Sequence, residues 1–319
     1  MAKEKTQKPK WLRVTGIVSL LLLLVVVVYG AVVYQSLTSA VDKMHEPVER
    51  KSDKRVEEIT LTKKEPFSVL MLGVDERKGD KGRSDTMIVL TVNPNNNSVK
   101  MLSIPRDTRT EIVGRGKEDK INHAYAFGGA EMSMDTVENF LDIPIDYYMK
   151  INMEGFQDIV DAVGGVTVNN DLDFTSDGVH FPEGTITLNG EDALKFSRMR
   201  YEDPRGDFGR QFRQRQIIQG VIREGASVSS ITNFGSIFNA LSSNVKTNIA
   251  FDEMVEIQKN YKDASNNIEH VTLAGKGTKI GGVYYLEIPA EEKARVQGVM
   301  KTQLELDLES TSSSVSAAN

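Results

Sequence analysis

Between Phe196 and Gln216 the chain reads FSRMRYEDPRGDFGRQFRQRQ, which places Arg198, Arg200, Arg205, Arg210, Arg213 and Arg215 in one short segment without a lysine. Phosphate suits this pattern, because a planar guanidinium grips phosphate oxygens in pairs and keeps its charge when partly buried. The simpler reading is an exposed helix face on which Glu202, Asp203 and Asp207 neutralise the cations. Two details argue against it. Arg198 and Arg200 are two residues apart rather than at helical spacing, and a DPRGDFG turn divides them from the later arginines. The cluster is expected to converge from two elements.

Three further residues sit where strands should end. Leu72-Gly73-Val74-Asp75 closes one apolar run, and after Arg77 and the GDKG loop a second run starts at Arg83-Ser84-Asp85. If those runs are neighbouring strands, Asp75 and Asp85 meet at one edge. Two carboxylates beside arginines suit a hard divalent cation such as Mg2+, which completes its shell with water and phosphate oxygens. Spacing alone leaves equally open that each aspartate pairs with an arginine or caps a turn. A third run ends at Ser103-Ile104-Pro105-Arg106-Asp107, where proline stops the strand and Arg106 projects as a third point of a phosphate clamp.

The elements that must carry these residues can be read coarsely. Strands are expected over Phe67 to Leu72, Asp85 to Val92 and Val99 to Ile104, the last two joined by an NPNNN turn into an antiparallel hairpin. Helices are expected over Glu131 to Leu141, Met153 to Val163, Glu191 to Phe196, Arg210 to Glu224, Phe251 to Ala264 and Ala290 to Leu304. Tyr147 to Ile151 and Val166 to Val168 read as strands, and Ile268 to Leu286 as two more with a hairpin turn at Ala274 to Lys279. This interleaving predicts a single α/β (α+β) domain, a mixed central sheet with helices on both faces. About 240 residues, with no repeat or proline-rich linker, suit one domain better than two.

Ahead of the domain, Val14 to Tyr34 carries no charge and is long enough to span a bilayer. Lys3, Lys5, Lys8, Lys10 and Arg13 precede it against one acid, Glu4, so the positive-inside rule keeps the N-terminus cytoplasmic. A cleaved signal peptide is the competing reading, with Thr38-Ser39-Ala40 as its site. The stretch is, however, longer than the roughly 7 to 15 residues of a signal core. The expected organisation is a basic tail over 1–13, a transmembrane anchor over 14–34, an extracellular stalk over 35–64, the domain over 65–306 and a polar tail over 307–319. That is a single-pass plasma-membrane protein with its domain outside the cell.

Composition excludes several classes. There is no cysteine, hence no disulfide, thiolate metal site or cysteine nucleophile. With the five cations and one acid of the N-terminal flank removed from 39 basic and 45 acidic residues, 34 face 44, a net charge of −10. Such an acidic chain does not bind nucleic acid through a broad basic surface. His45, His123, His180 and His270 are scattered, and there is no HExxH, GxSxG or Walker spacing.

GVDERKGDKGRSDTM (Gly73 to Met87), SIPRDT (Ser103 to Thr108), KINHAYAFGG (Lys120 to Gly129), LNGEDALKFSRMR (Leu188 to Arg200) and DPRGDFGRQFRQRQ (Asp203 to Gln216) together resemble the LytR-CpsA-Psr family. Within that family the likeness is to the wall teichoic acid transferases of Gram-positive rods. The resemblance implies a phosphotransferase at the outer face of the plasma membrane. It would move a glycopolymer from an undecaprenyl-pyrophosphate carrier onto the C6 hydroxyl of N-acetylmuramic acid in peptidoglycan. By motif position, Asp75 and Asp85 would hold Mg2+, and Arg106, Arg198, Arg200, Arg210 and Gln214 the pyrophosphate, with Arg83 beside them. Asp207 would be the base for the incoming hydroxyl. A lipid carrier also requires an apolar slot, for which the Ile88 to Val92 strand and the Met132 to Leu141 and Ile217 to Ile222 helices offer apolar faces. The same clamp would also serve a hydrolase or a non-catalytic receptor for pyrophosphate lipids. A regulator acting on DNA is disfavoured, since the basic flank is what an anchor requires.

Overall fold

Three strands, β1 (Phe67–Val74), β2 (Ser84–Asn93) and β3 (Ser98–Ser103), lie side by side as an antiparallel meander at the centre of the computed structural model. Described residues are 37–55, 58–75, 82–227 and 241–306, with scattered positions between 23 and 35. The β2–β3 turn is the expected one. The Asn93 side chain accepts from the Asn95 amide at 2.8 Å, and Asn97 takes a positive φ of 50°.

After the small hairpin β4 (Arg109–Ile112) and β5 (Lys117–Lys120) comes helix α1 (His123–Leu141), broken by non-helical backbone at Gly128 and Gly129. Strand β6 (Tyr147–Ile151) then pairs in parallel with β1. Helix α2 (Met153–Ala162) is capped by Asn152, whose side chain accepts from the Gly155 amide at 2.7 Å. Strands β7 (Val166–Asn170), β8 (Phe174–Ser176), β9 (Val179–Phe181) and β10 (Gly184–Leu188) build two small ribbons. Helices α3 (Gly190–Arg198) and α4 (Asp207–Ser227) follow, then β11 (Val245–Thr247), α5 (Phe251–Tyr261) and β12 (Ile268–Val271). The hairpin β13 (Lys276–Ile280) and β14 (Val283–Glu287) and helix α6 (Ala290–Gln303) close the domain.

The main sheet has the order β11-β6-β1-β2-β3-β12 and is mixed, as expected. Alternation along its strands feeds two cores. Leu70, Leu72, Met87, Val89 and Leu102 face α1 and α6, whereas Phe67, Val69, Ile88, Leu90 and Met101 face α4 and α5. With both faces covered, the central strands read as nearly unbroken apolar runs. Each fully buried aliphatic side chain contributes roughly 2 kcal/mol.

Two sequence expectations fail here. Ile268 to Leu286 holds three strands rather than two, and the turn lies at Gly281-Gly282, with φ of 58° and 83°, not at Ala274 to Lys279. Successive positive φ angles are what a tight two-residue hairpin turn requires, so the paired glycines outweigh the earlier Gly-Lys run. Part of the expected stalk is docked on the domain. Leu37, Ala40, Val41 and Met44 are buried, and Arg50 reaches Asp135 at 2.6 Å, Glu138 at 2.7 Å and the Ile145 carbonyl at 2.7 Å. Most of 14–34 and all of 307–319 lie outside the described residues. Among those described, no helix is long and apolar enough to cross a membrane.

Candidate active site

The arginine cluster does come from two elements. Asn189 caps α3, accepting from the Asp192 amide at 2.8 Å, and nine residues on Arg198 ends that helix, where a cation complements the dipole. Arg200 follows in the loop, and α4 begins at Asp207, so Arg210 and Gln214 rise one and two turns above it on one face. Arg198, Arg200, Arg210 and Gln214 line a cavity of about 340 Å³. Its opposite wall is the end of the main sheet, Gly73, Val74, Asp75, Asp85 and Thr86. The β1–β2 register, with Val74 opposite Ser84 beyond an irregularity after Gly73, brings the two aspartates to one edge.

Arg106 stands behind this wall, donating from Nη1 to Asp85 at 2.8 Å. Burial alone would lower its pKa, but that bond and the charges of Asp107 and Asp207 raise it. Arg210 goes the other way. Burial, opposed by the nearby Asp207 carboxylate, combines with the repulsion of Arg106 and Arg200 to push its guanidinium below its ordinary value. Crowded cations of this kind are relieved by an anion of more than one charge. Asp207 faces Arg210 at 2.6 Å and Gln211 at 2.8 Å rather than lining the cavity, so it sets the clamp's geometry. Arg83 is exposed at the foot of β2 and lines no part of the cavity, and residues 76–81 lie outside the described residues.

The rest of the cluster is structural: Arg205 and Arg213 pair with an acid, as the simpler reading had it, but around a buried carboxylate and not on an exposed helix face. Arg213 is fully buried, donating to Asp203 at 2.6 Å, to the Met199 carbonyl at 2.5 Å and to the Phe196 carbonyl at 3.1 Å. Arg205 closes the same knot from outside, on Asp203 and Asp171. Gly209 makes room for it, since a Cβ there would lie 1.9 Å from Asp203 Oδ2. Arg215 turns to Ser103 Oγ at 3.1 Å.

A second cavity, about 420 Å³ and almost wholly apolar, adjoins the first. Met71, Ile151, Phe156 and Ile218 belong to both. Along α4 a single stripe thus runs from Arg210 and Gln214 to Ile218, Val221, Ile222 and Gly225. Two of the apolar faces named from sequence, at Leu90 and Val92 and at Ile217 to Ile222, line this space. The third does not: Met134, Val137, Phe140 and Leu141 of α1 pack on the opposite face of the sheet. Phe156, Ile159 and Val160 of α2, with Val163 just past its end, take its place. Their i, i+3, i+4, i+7 spacing was visible in the sequence.

Asp75 and Asp85 are the residues of the sheet-end wall that could hold a hard divalent cation. Asp75 and Asp85 offer hard oxygens from neighbouring strands, and no group of three or more histidine, aspartate or glutamate side chains suited to a metal occurs among the described residues. Such a pair of carboxylates supplies only part of a hard cation's shell. It leaves room for the water and phosphate oxygens that Mg2+ keeps.

The α/β domain thus sets a guanidinium-walled cavity beside an apolar one with which it shares four lining residues. The model of the LytR_cpsA_psr family matches residues 31–302, and the chain belongs to that family. It is 52% identical over 307 residues to the polyisoprenyl-teichoic acid–peptidoglycan teichoic acid transferase TagU of Bacillus subtilis (strain 168), covering 96% of this chain and 100% of that protein. The crystal structure of B. subtilis TagU superposes with a TM-score of 0.63, over 77% of this chain and 99% of that one. A structure of TagT bound to LI-WTA, 31% identical, superposes with a TM-score of 0.70 over 82% of this chain and all of the other.

Proposed function

We propose that this chain is a membrane-anchored phosphotransferase that moves an anionic glycopolymer of the wall teichoic acid class from undecaprenyl pyrophosphate to peptidoglycan. The acceptor is the C6 hydroxyl of N-acetylmuramic acid, and the product is a phosphodiester. The observation that carries this reading is the α4 stripe, which joins a wall of arginines to an apolar slot. A pyrophosphate lipid is the ligand that needs both at once. The name of the B. subtilis relative supports the same substrate class.

Arg198, Arg200 and Arg210 would hold the pyrophosphate oxygens, with Gln214 adding a neutral donor and Arg106 bracing Asp85 from behind the wall. Transfer of a phosphoryl group asks mainly for alignment and for neutralisation of charge spreading over the phosphate oxygens. Asp75 and Asp85 would hold Mg2+, which when bound supplies further charge neutralisation there. The polyprenyl chain would lie between α4, α2 and the sheet. The anchor at 14–34 would keep the domain outside the plasma membrane, within reach of both carrier and wall.

The test starts from the full chain purified in detergent, extracted with organic solvent and examined by mass spectrometry for polyprenyl phosphates. Retained lipid in the wild type and none in Arg198→Ala/Arg200→Ala is the expected result. Incubation with a lipid-linked polymer and glycan strands then separates the activities. Polymer joined to glycan marks a transferase, freed phosphorylated polymer a hydrolase and unchanged donor a receptor. A wild-type chain that neither retains nor binds carrier lipid removes the reading altogether.

A further inference from the structure

Tyr201 is 96% exposed, yet it lines the arginine cavity directly after Arg200. A single exposed aromatic is ordinary on a mobile loop. This loop is held on both sides of the ring. Arg213, buried, donates to the Met199 carbonyl and to Asp203, and Arg205 holds Asp203 from the other side. The flanking backbone is therefore ordered before any ligand arrives, and the Arg200 guanidinium lies 6.0 Å from the ring centroid. An uncovered ring on an anchored loop beside the cavity is available as a contact surface.

We infer that Tyr201 is the stacking platform for a pyranose ring of the acceptor glycan. The assignment rests on the proposed transferase reading and follows from the direction of attack. In an in-line displacement, attacking and leaving oxygens lie on opposite sides of phosphorus. The leaving group is the lipid monophosphate, whose chain occupies the apolar slot behind Met71, Ile151, Phe156 and Ile218. The acceptor must come from the opposite side, and Tyr201 lines the arginine cavity without lining the apolar one. Its hydroxyl oxygen bonds to the polymer-side phosphorus. The bond from that phosphorus to the bridging oxygen breaks, the electron pair leaves with the lipid phosphate, and the hydroxyl proton passes to water. A pyranose offers a face of weakly positive C–H bonds, which complements the negative face of an aromatic ring.

Kinetics of the full-length enzyme with a soluble glycan fragment test this. Tyr201→Ala raises KM for the glycan about tenfold, the loss of roughly 1.4 kcal/mol, with a smaller effect on kcat and none on carrier-lipid binding. Tyr201→Phe restores KM, because the ring and not the hydroxyl makes the contact. Phe208→Ala is the control, since that ring is also exposed but does not line the cavity. Tyr201→Trp supplies a readout independent of turnover. Trp11 is the chain's one tryptophan, so the fluorescence change on adding glycan, less that of the wild type, reports stacking. An unchanged glycan KM in Tyr201→Ala, an equal rise in Phe208→Ala, weakened lipid binding in Tyr201→Ala, or a silent Tyr201→Trp overturns the assignment. A wild type that binds lipid but transfers nothing sinks the transferase reading instead.

Discussion

Arg213 and Asp203 are joined at 2.6 Å with side chains 1% and 0% exposed, which places a fully buried ion pair between the two halves of the clamp. The pair fixes the loop that carries Arg200 while contributing no group to the cavity. Breaking a buried pair from one side leaves an uncompensated charge and costs about 3–5 kcal/mol. Asp203→Asn and Arg213→Met are therefore expected to lower unfolding free energy by that order in urea titrations, and Gly209→Ala to do the same by forcing Asp203 out of place. Arg200→Ala, at the cavity wall, leaves the urea midpoint within error.

The same carboxylate gives the domain an acid limit. Burial would raise the Asp203 pKa, but hydrogen bonds from Arg205, from Arg213 and from the Arg205 amide override it and hold the group well below the carboxylate range. A depressed folded pKa contributes stability that is fully present above the unfolded value, about 3.9, and is lost as pH falls toward the folded one. Wild-type melting temperature should drop on acidification below about pH 4 more steeply than that of Asp203→Asn. Parallel curves would show that Asp203 is not the responsible group.

Arg210 and Arg213 show how far the sequence could be read. Both lie in GRQFRQ, both are arginine, and composition marks both for phosphate. Only helix phase separates them: Gly209 and Arg213 share an inward stripe, whereas Arg210, Gln214 and Ile218 share the stripe facing the cavities. That phase was legible from Ile217 and Gly220, four and seven residues after Arg213, but the partner Asp203 lies across a turn, where periodicity says nothing. The sheet and principal helices were legible because strong apolar patterns specify them. The β4–β5 and β8–β9 ribbons were not, since strands of three or four mostly polar residues carry no periodicity of their own.

At the cavity wall itself, charge and geometry can be separated. Arg200→Ala and Arg198→Ala are each expected to cut kcat about 10²–10³-fold, the usual cost of one positioned donor in a charged transition state. Arg200→Lys keeps the charge and loses the bidentate fork, so it should fall nearly as far. Measured melting temperatures near wild type would assign the loss to chemistry. Recovery of most activity in Arg200→Lys would mean that Arg200 acts as a point charge only.

Ile218 is the hinge between polar and apolar space, lining both cavities. Ile218→Asn places an amide where a chain of methylenes should enter, and each buried CH2 is worth about 0.8 kcal/mol. Carrier-lipid affinity is expected to fall at least tenfold, while binding of free pyrophosphate, which needs only the arginine wall, stays as in the wild type. Equal loss of both ligands would place the lipid elsewhere and reduce the apolar cavity to a packing defect.

Magnesium dependence should separate the two aspartates. Asp85 accepts a hydrogen bond from Arg106 at 2.8 Å, so Asp85→Asn changes a proposed metal ligand and an arginine's position together. Asp75→Asn leaves that contact with Arg106 in place. If Asp75 holds Mg2+ through a hard, charged oxygen, its amide should raise the concentration giving half-maximal transfer about tenfold or more, with activity largely recovered at high Mg2+. Asp85→Asn should not recover, because excess metal cannot return Arg106 to its place. A metal titration unchanged in Asp75→Asn would remove that residue from the ion's shell, leaving Asp85 to be judged by its bond to Arg106.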